Sequence, residues 1–300
     1  MSAAPVQIAV LEDRGVVSVA GADAEKLLAG LITNEMALLA DAPALYAALL
    51  TPQGKILFDF IVVKAEGGFL LDTMRDHAGA LAKRLSMYKL RAAVEIRDVS
   101  ESLVVAAAWG GAPVSTVKIP GAYVVEDPRL PALGQRIIVD ARSADAALAA
   151  TGGVLVPADA YHAHRIALGV PEGGRDFVFS DTFPHEALLD QLHGVSFTKG
   201  CFVGQEVVSR MQHRGTARKR VVPVTGDQPL PVGPLPVLAG TVEIGCLGSA
   251  AGTRGLALLR LDRVAQAQRD GVAVTAGGVA LRVELPAFAT FRIEASHERA

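Results

Sequence analysis

Residues 195–220, VSFTKGCFVGQEVVSRMQHRGTARKR, decide how the chain is read. A thiol, Cys201, sits between Gly200 and Phe202, next to Lys199, just before a predicted helix that begins near Gly204. The positive end of a helix dipole and a neighbouring cation both favour a thiolate over a thiol. Cys201 is therefore a candidate reactive sulfur, with packing as a small hydrophobe as the competing reading. Glu206 and Arg210, four residues apart on the same helix, form a pair of the kind that supports a helix. Beyond them Arg210, Arg214, Arg218, Lys219 and Arg220 cluster with no acid between Glu206 and Asp227. Such a run holds carboxylates or phosphates through charge-assisted hydrogen bonds. Without interleaved aromatics it does not read as a nucleic-acid surface.

Upstream of this stretch, short β-branched runs alternate with a few amphipathic helices. The expected strands are 7–11, 16–19, 56–63, 69–72, 93–97, 103–107, 122–125 and 136–139, separated by Gly-rich and Pro-Gly turns. Helices are expected over 22–31, over 75–88 with Leu81, Leu85 and Tyr88 on one face, and over 158–168, stopped by Gly169 and Pro171. The fold class is α+β. Downstream, residues 226–236, GDQPLPVGPLP, read as a domain boundary, dividing the chain into 1–225 and a small β domain over 226–300. Its strands are expected over 237–244, 255–261, 279–285 and 289–293.

Composition bounds the function. The 300 residues are 51% hydrophobic and 20% charged, enough for a sizeable core in roughly two domains at about 150 residues each. Lys+Arg 29 against Asp+Glu 31 leaves a net charge of −2, which excludes a generally basic nucleic-acid binder. The longest uncharged stretch, 102–117, is broken by Gly110, Gly111 and Pro113, so no membrane helix is expected. The first residues carry no secretory signal pattern, and the cytoplasm is the expected compartment. Two cysteines, Cys201 and Cys246, are too few for a disulfide framework, a zinc site or a self-ligated iron-sulfur cluster. Cys246, in a strand-rich run, is expected as buried packing. P-loop, dinucleotide and serine-hydrolase motifs are absent, and His185-Glu186 fails as a zinc motif because Leu189 replaces the second histidine. His162 and His164, two apart in a helix, read as polar surface rather than a metal site.

Lys199-Gly200-Cys201-Phe202-Val203-Gly204-Gln205-Glu206, followed by Arg210 and Arg214-Gly215, resembles the KGC[FY]xGQE signature of the YgfZ-type folate-binding proteins, including their mitochondrial iron-sulfur assembly relatives. Weaker similarity runs through 31–34, 50–56, 88–91, Arg165 with Gly169 and Pro171, 183–186 and 255–258. The resemblance implies a body like that of the glycine-cleavage T protein: two interleaved α+β domains and a C-terminal β-barrel, three domains around a central site for tetrahydrofolate. It also implies a role in assembling or maintaining iron-sulfur enzymes with four-iron clusters, and in the tRNA modification that depends on them. The implied partners are folate and iron-sulfur client or assembly proteins, with no membrane and no direct nucleic-acid contact.

A mechanism consistent with these residues has Cys201 as nucleophile or transient ligand, Lys199 and the nearby arginines as cations favouring its thiolate, and Glu206 as the group orienting the loop. For the folate the resemblance points to Asp59, Thr33 and Asn34, to Arg165 for the glutamyl tail and to Glu186 as a substitute acid; the competing readings are a solvent-facing strand residue for Asp59, a helix cap for Arg165 and a helix-start acid for Glu186. T proteins carry an aspartate pair where this chain has Phe58 and Asp59, and a pterin-gripping glutamate where it has Ala167. Alanine offers neither acceptor nor charge. A folate-dependent aminomethyl transferase is therefore the alternative function, and a binding module docking an anionic partner through the basic run is the third.

Overall fold

The computed structural model describes residues 5–114, 121–214 and 217–294. It divides into two compact units, one of residues up to Pro52, Ile56–Tyr161 and Leu192–Gln205, the other of Gln53–Lys55, His162–Gln191 and Glu206 onward.

The first unit holds two five-stranded sheets. In chain order its elements are β1 (Gln7–Val10), β2 (Arg14–Ala20), α1 (Ala24–Ala29), β3 (Ala44–Leu50), β4 (Ile56–Ala65), β5 (Gly68–Met74), α2 (Arg75–Tyr88), β6 (Glu95–Asp98), β7 (Leu103–Trp109), β8 (Tyr123–Glu126), β9 (Gln135–Asp140), α3 (Ala144–Ala150) and β10 (Val154–Leu155). One sheet runs β3-β4-β5-β2-β6 and the other β10-β1-β7-β9-β8. Alternation along β4 sends Phe58, Phe60 and Val62 into the main core, where they meet Leu45, Ala47 and Leu49 of β3 and Val17 and Val19 of β2. Leu81 and Leu85, four apart on α2, seal that core. β3 escapes the sequence reading because ALYAALL is rich in helix formers. All seven of its residues are buried, and burial between neighbours overrides the local preference.

Charge joins the two sheets. Arg14 of β2 donates through Nε to Asp72 of β5 at 2.7 Å. Arg136 of β9 places its Nε 3.7 Å from Asp72 and 3.3 Å from Asp127, which follows β8. Arg129 grips Asp127 with two side-chain bonds of 2.9 and 2.7 Å, and Arg129 and Arg136 both donate to the Tyr161 hydroxyl. All of these side chains are buried.

The second unit begins within α4 (Ala158–Leu168), takes most of α5 (Gln205–Arg214), and continues through β11 (Lys219–Gly226), β12 (Leu235–Ala239), β13 (Val242–Ala251), β14 (Arg254–Arg260), α6 (Leu261–Asp270), β15 (Val274–Ala276) and β16 (Val279–Val283). The six strands close a barrel in the order β11-β14-β13-β12-β15-β16. Val222, Leu247, Ala257 and Leu259 fill it, with Leu261 and Val264 of α6 packed on the same core. Gly245 lets β13 and β14 approach: a Cβ there would stand 2.0 Å from the Leu258 carbonyl.

The barrel corrects the expected boundary. Its first strand starts at Lys219, and residues 227–234, the proline-glycine segment read as a linker, connect β11 to β12 inside the domain. The expected strand 237–244 is a hairpin broken at Gly240, whose φ is +61°, and 289–293 is not a strand. Cys246 is exposed rather than buried: the β12–β13 register shifts at Ile244, so Ile244 and Leu247, three apart, both face inward, and Cys246, next to Leu247, faces out.

Burial alone would raise the Asp127 carboxyl, but the Arg129 charge and hydrogen bonds, with Arg136, outweigh it and hold it below the ordinary value. Asp127→Asn should therefore cost about 3 kcal/mol at neutral pH, read from urea midpoints. A depressed carboxyl stabilises the fold above its unfolded value of about 3.9 and stops doing so below its folded one. The gap between native and variant should thus close as pH falls through that lower value.

Candidate functional site

The octapeptide lies on a loop that the first unit pins from beneath. Thr33 Oγ1 donates to the Gly194 carbonyl at 2.6 Å, and Asn34 Nδ2 donates to the carbonyls of His193 at 2.6 Å and Tyr46 at 2.8 Å. Lys199 turns inward. Its Nζ donates to the carbonyls of Ala29, Ile32 and Asn34 at 2.8, 2.8 and 2.9 Å, which uses all three ammonium protons. Burial lowers the Lys199 pKa, opposed by Glu35. Phe202 is buried, with its ring centroid 5.2 Å from that ammonium, and Val203 packs on the main core. Between these anchors Cys201 is exposed.

This placement revises two assignments. Lys199 spends its hydrogen bonds on backbone carbonyls, so it shapes the loop instead of pairing with the thiolate. Glu206, expected to orient the loop, is exposed and accepts a 2.7 Å bond from Arg210 one turn along α5. The basic run also divides. Arg218 and Lys219 are exposed, whereas Arg220 is buried, bonded to Asp190 at 2.8 and 3.0 Å and to the His185 carbonyl, with Phe291 stacked at 4.4 Å. Arg220 is a pin of the second unit and is not open to an anion. Arg214 closes α5, its side chain and Gly215 lying outside the described residues.

The five residues assigned to folate are each engaged inside their own unit. Asp59, 4% exposed on β4, accepts the Tyr46 hydroxyl at 2.8 Å. Burial, then the Asp59 charge, push the Tyr46 phenol well above its ordinary value, so it remains a donor. Arg165, buried in the second unit, bonds Asp176 at 2.6 Å, Ser249 at 2.7 Å and the Val170 carbonyl at 3.2 Å. His162 joins that cluster, 3.2 Å from Arg165 Nε and 3.5 Å from Glu172, so it is a buried partner and not the polar surface expected of it. Glu186 accepts the Phe183 N–H at 2.8 Å, capping a turn, while burial raises its carboxyl. Thr33 and Asn34 are the loop anchors described above. With Ala167 in the place of the pterin-gripping glutamate, this set does not fit a folate grip.

Sequence reasoning missed Tyr46, Asp72, Asp127, Arg129, Arg136 and Tyr161. Arginine inside a strand was the available signal, in Arg14 of β2 and Arg136 of β9.

Comparison with known proteins places these features in context. Residues 218–291 match the family described as "CAF17, C-terminal beta-barrel domain". The chain is 35% identical over 230 residues to the "Iron-sulfur cluster assembly factor IBA57 homolog, mitochondrial" of Neurospora crassa, covering 71% of this chain but 52% of the relative, so it spans about half that relative's length. It is 35% identical over 278 residues to "Iron-sulfur cluster assembly factor IBA57, mitochondrial" of Homo sapiens, covering 85% of this chain and 77% of the relative. The glycine cleavage system aminomethyltransferase T of Bartonella henselae has the same fold, with a TM-score of 0.77 at 18% identity over 96% of this chain and 87% of that one. The α+β, T-protein-like fold with its terminal barrel is therefore established. The expected cytoplasmic location is overturned, because the assembly-factor relatives are mitochondrial. Among the described residues no helix is long and apolar enough to cross a membrane.

Two outcomes check the site. Lys199→Met leaves three carbonyls without their donor, and should cost about 1–3 kcal/mol in thermal stability while exposing residues 192–205 to limited proteolysis. Asp59→Asn should leave any calorimetric tetrahydrofolate titration unchanged, because the carboxylate is buried and its Oδ2 is held by the Tyr46 hydroxyl.

Proposed function

Because the chain belongs to the IBA57 family of iron-sulfur cluster assembly factors, we propose that it acts in the maturation of iron-sulfur proteins, with Cys201 as the sulfur that meets the cluster. This family replaces the related YgfZ-type label drawn from residues 199–206. The observation that carries the reading is the exposed Cys201 on a loop held by Lys199 and Phe202.

Cluster chemistry limits what one thiol does. An iron-sulfur cluster takes about four protein ligands, usually thiolates, and the chain has two cysteines, Cys201 and Cys246, carried by different units. It therefore handles a cluster jointly with a partner. Cys201 loses its proton to solvent and gives a sulfur electron pair to one iron, while a ligand of the donor protein leaves that iron. The cluster is cargo. Arg218 and Lys219, exposed residues of the basic run, are available to the acidic surface of a client. Clients with four-iron clusters, and the tRNA modification that depends on such enzymes, extend the same reading.

Aminomethyl transfer is not favoured, since Asp59 is committed to Tyr46 and Phe58 and Ala167 replace the remaining T-protein carboxylates. No step here passes through tetrahydrofolate.

Cys201→Ala should melt at the native temperature, because its side chain is exposed. It should reduce cluster delivery to an apo four-iron hydro-lyase to the rate seen without the protein. Delivery at the native rate would remove the sulfur from the mechanism.

A further inference from the structure

A cavity of about 430 Å³ opens at the end of α1, lined by Lys26, Leu27, Leu31, Tyr88, Leu90 and Arg91 among others. Its floor is aliphatic and its rim is cationic. Leu90 is 87% exposed with a φ of +42°, a conformation that bulky L-residues rarely take. Met87, just before it, is 62% exposed, so apolar surface continues beyond the cavity. Lys26 and Arg91 are exposed, and neither makes an ion pair among the described residues. Asp23, also in the lining, accepts the Ala93 N–H at 2.8 Å and keeps its charge, but with Lys89 beside Lys26 and Arg91 the lining still carries three cations against that one carboxylate. Glu25 is the one acid within α1.

The cavity shares a wall with the Cys201 loop. Gly30 and Leu31 line it, and the flanking carbonyls of Ala29 and Ile32 are two of the three held by Lys199. Val203, two residues past the thiol, packs on the same core as Leu27 and Tyr88. Anything seated here is held beside the loop that presents the sulfur.

We propose that this cavity is the docking groove for an acidic segment of the protein that shares the cluster with Cys201, an aliphatic side chain entering between Leu27, Leu31 and Tyr88 while carboxylates meet Lys26 and Arg91. The proposal rests on the assembly reading above and adds the partner's chemistry to it. Charge complementarity selects an acidic partner, and leucines select an aliphatic one. A nucleic acid would need open aromatic faces for stacking, but Tyr88 is the one aromatic in the lining and the Arg84 guanidinium lies 5.7 Å from its ring.

The test uses the full chain and a fluorescent peptide of repeating Glu-Glu-Leu, read by anisotropy. Saturable binding is expected, weakened about tenfold by the double substitution K26E/R91E and similarly by Leu90→Asp. All three positions are exposed, so the melting temperature should hold. A Lys-Lys-Leu peptide binding as well as the acidic one, or indifference to K26E/R91E, would overturn the groove. Tighter binding of single-stranded RNA or of anionic vesicles, lost in the same variants, would overturn it too. Cys201→Ala should bind the peptide at native strength. If peptide binding survives but Cys201→Ala still delivers cluster, the sulfur assignment fails and the groove stands.

Discussion

The guanidinium of Arg136, set between Asp72 of one sheet and Asp127 beside the other, is the constraint on which the first unit depends. A buried ion is tolerated only when its partners surround it, so the two sheets are held at the spacing these three groups require. Arg14 on Asp72, Arg129 on Asp127, and Tyr161 on both Arg129 and Arg136 complete the arrangement. Arg129 also lies 5.8 Å from the ring of Tyr46, which in turn ties up Asp59. Asp59 is thereby drawn into the scaffold.

The octapeptide illustrates how one motif divides its labour. Read as a string, Lys199 and Cys201 suggest a cation beside a thiolate. In space the lysine points down, into three carbonyls, and the cysteine points out. After them Gly204, at a φ of +81°, turns the chain into α5. The motif is thus mostly foundation for a single exposed sulfur, the arrangement that the proposed sharing of a cluster with a partner calls for.

Much of the fold was legible where periodicity and burial agree. α2 follows its Leu81 and Leu85 spacing, and β4 and β9 follow the expected runs to within a few residues. Legibility failed where tertiary context decides. β3 looks helical, the loop between β11 and β12 looks like a linker, and α6 was not expected, although its Leu261, Val264 and Ala265 mark a buried face. At the site, the octapeptide and Cys201 were readable because they are local. The Tyr46–Asp59 bond and the Arg136 cluster were not, since their members are brought together by strand pairing.

The grip of Lys199 differs in kind from that of Arg136. Carbonyl oxygens neither titrate nor carry a formal charge, so counterions have no opposing ion to displace from the ammonium's partners. The loop carrying Cys201 therefore keeps its shape in acid and in strong electrolyte, conditions under which structure built on paired carboxylates loosens first.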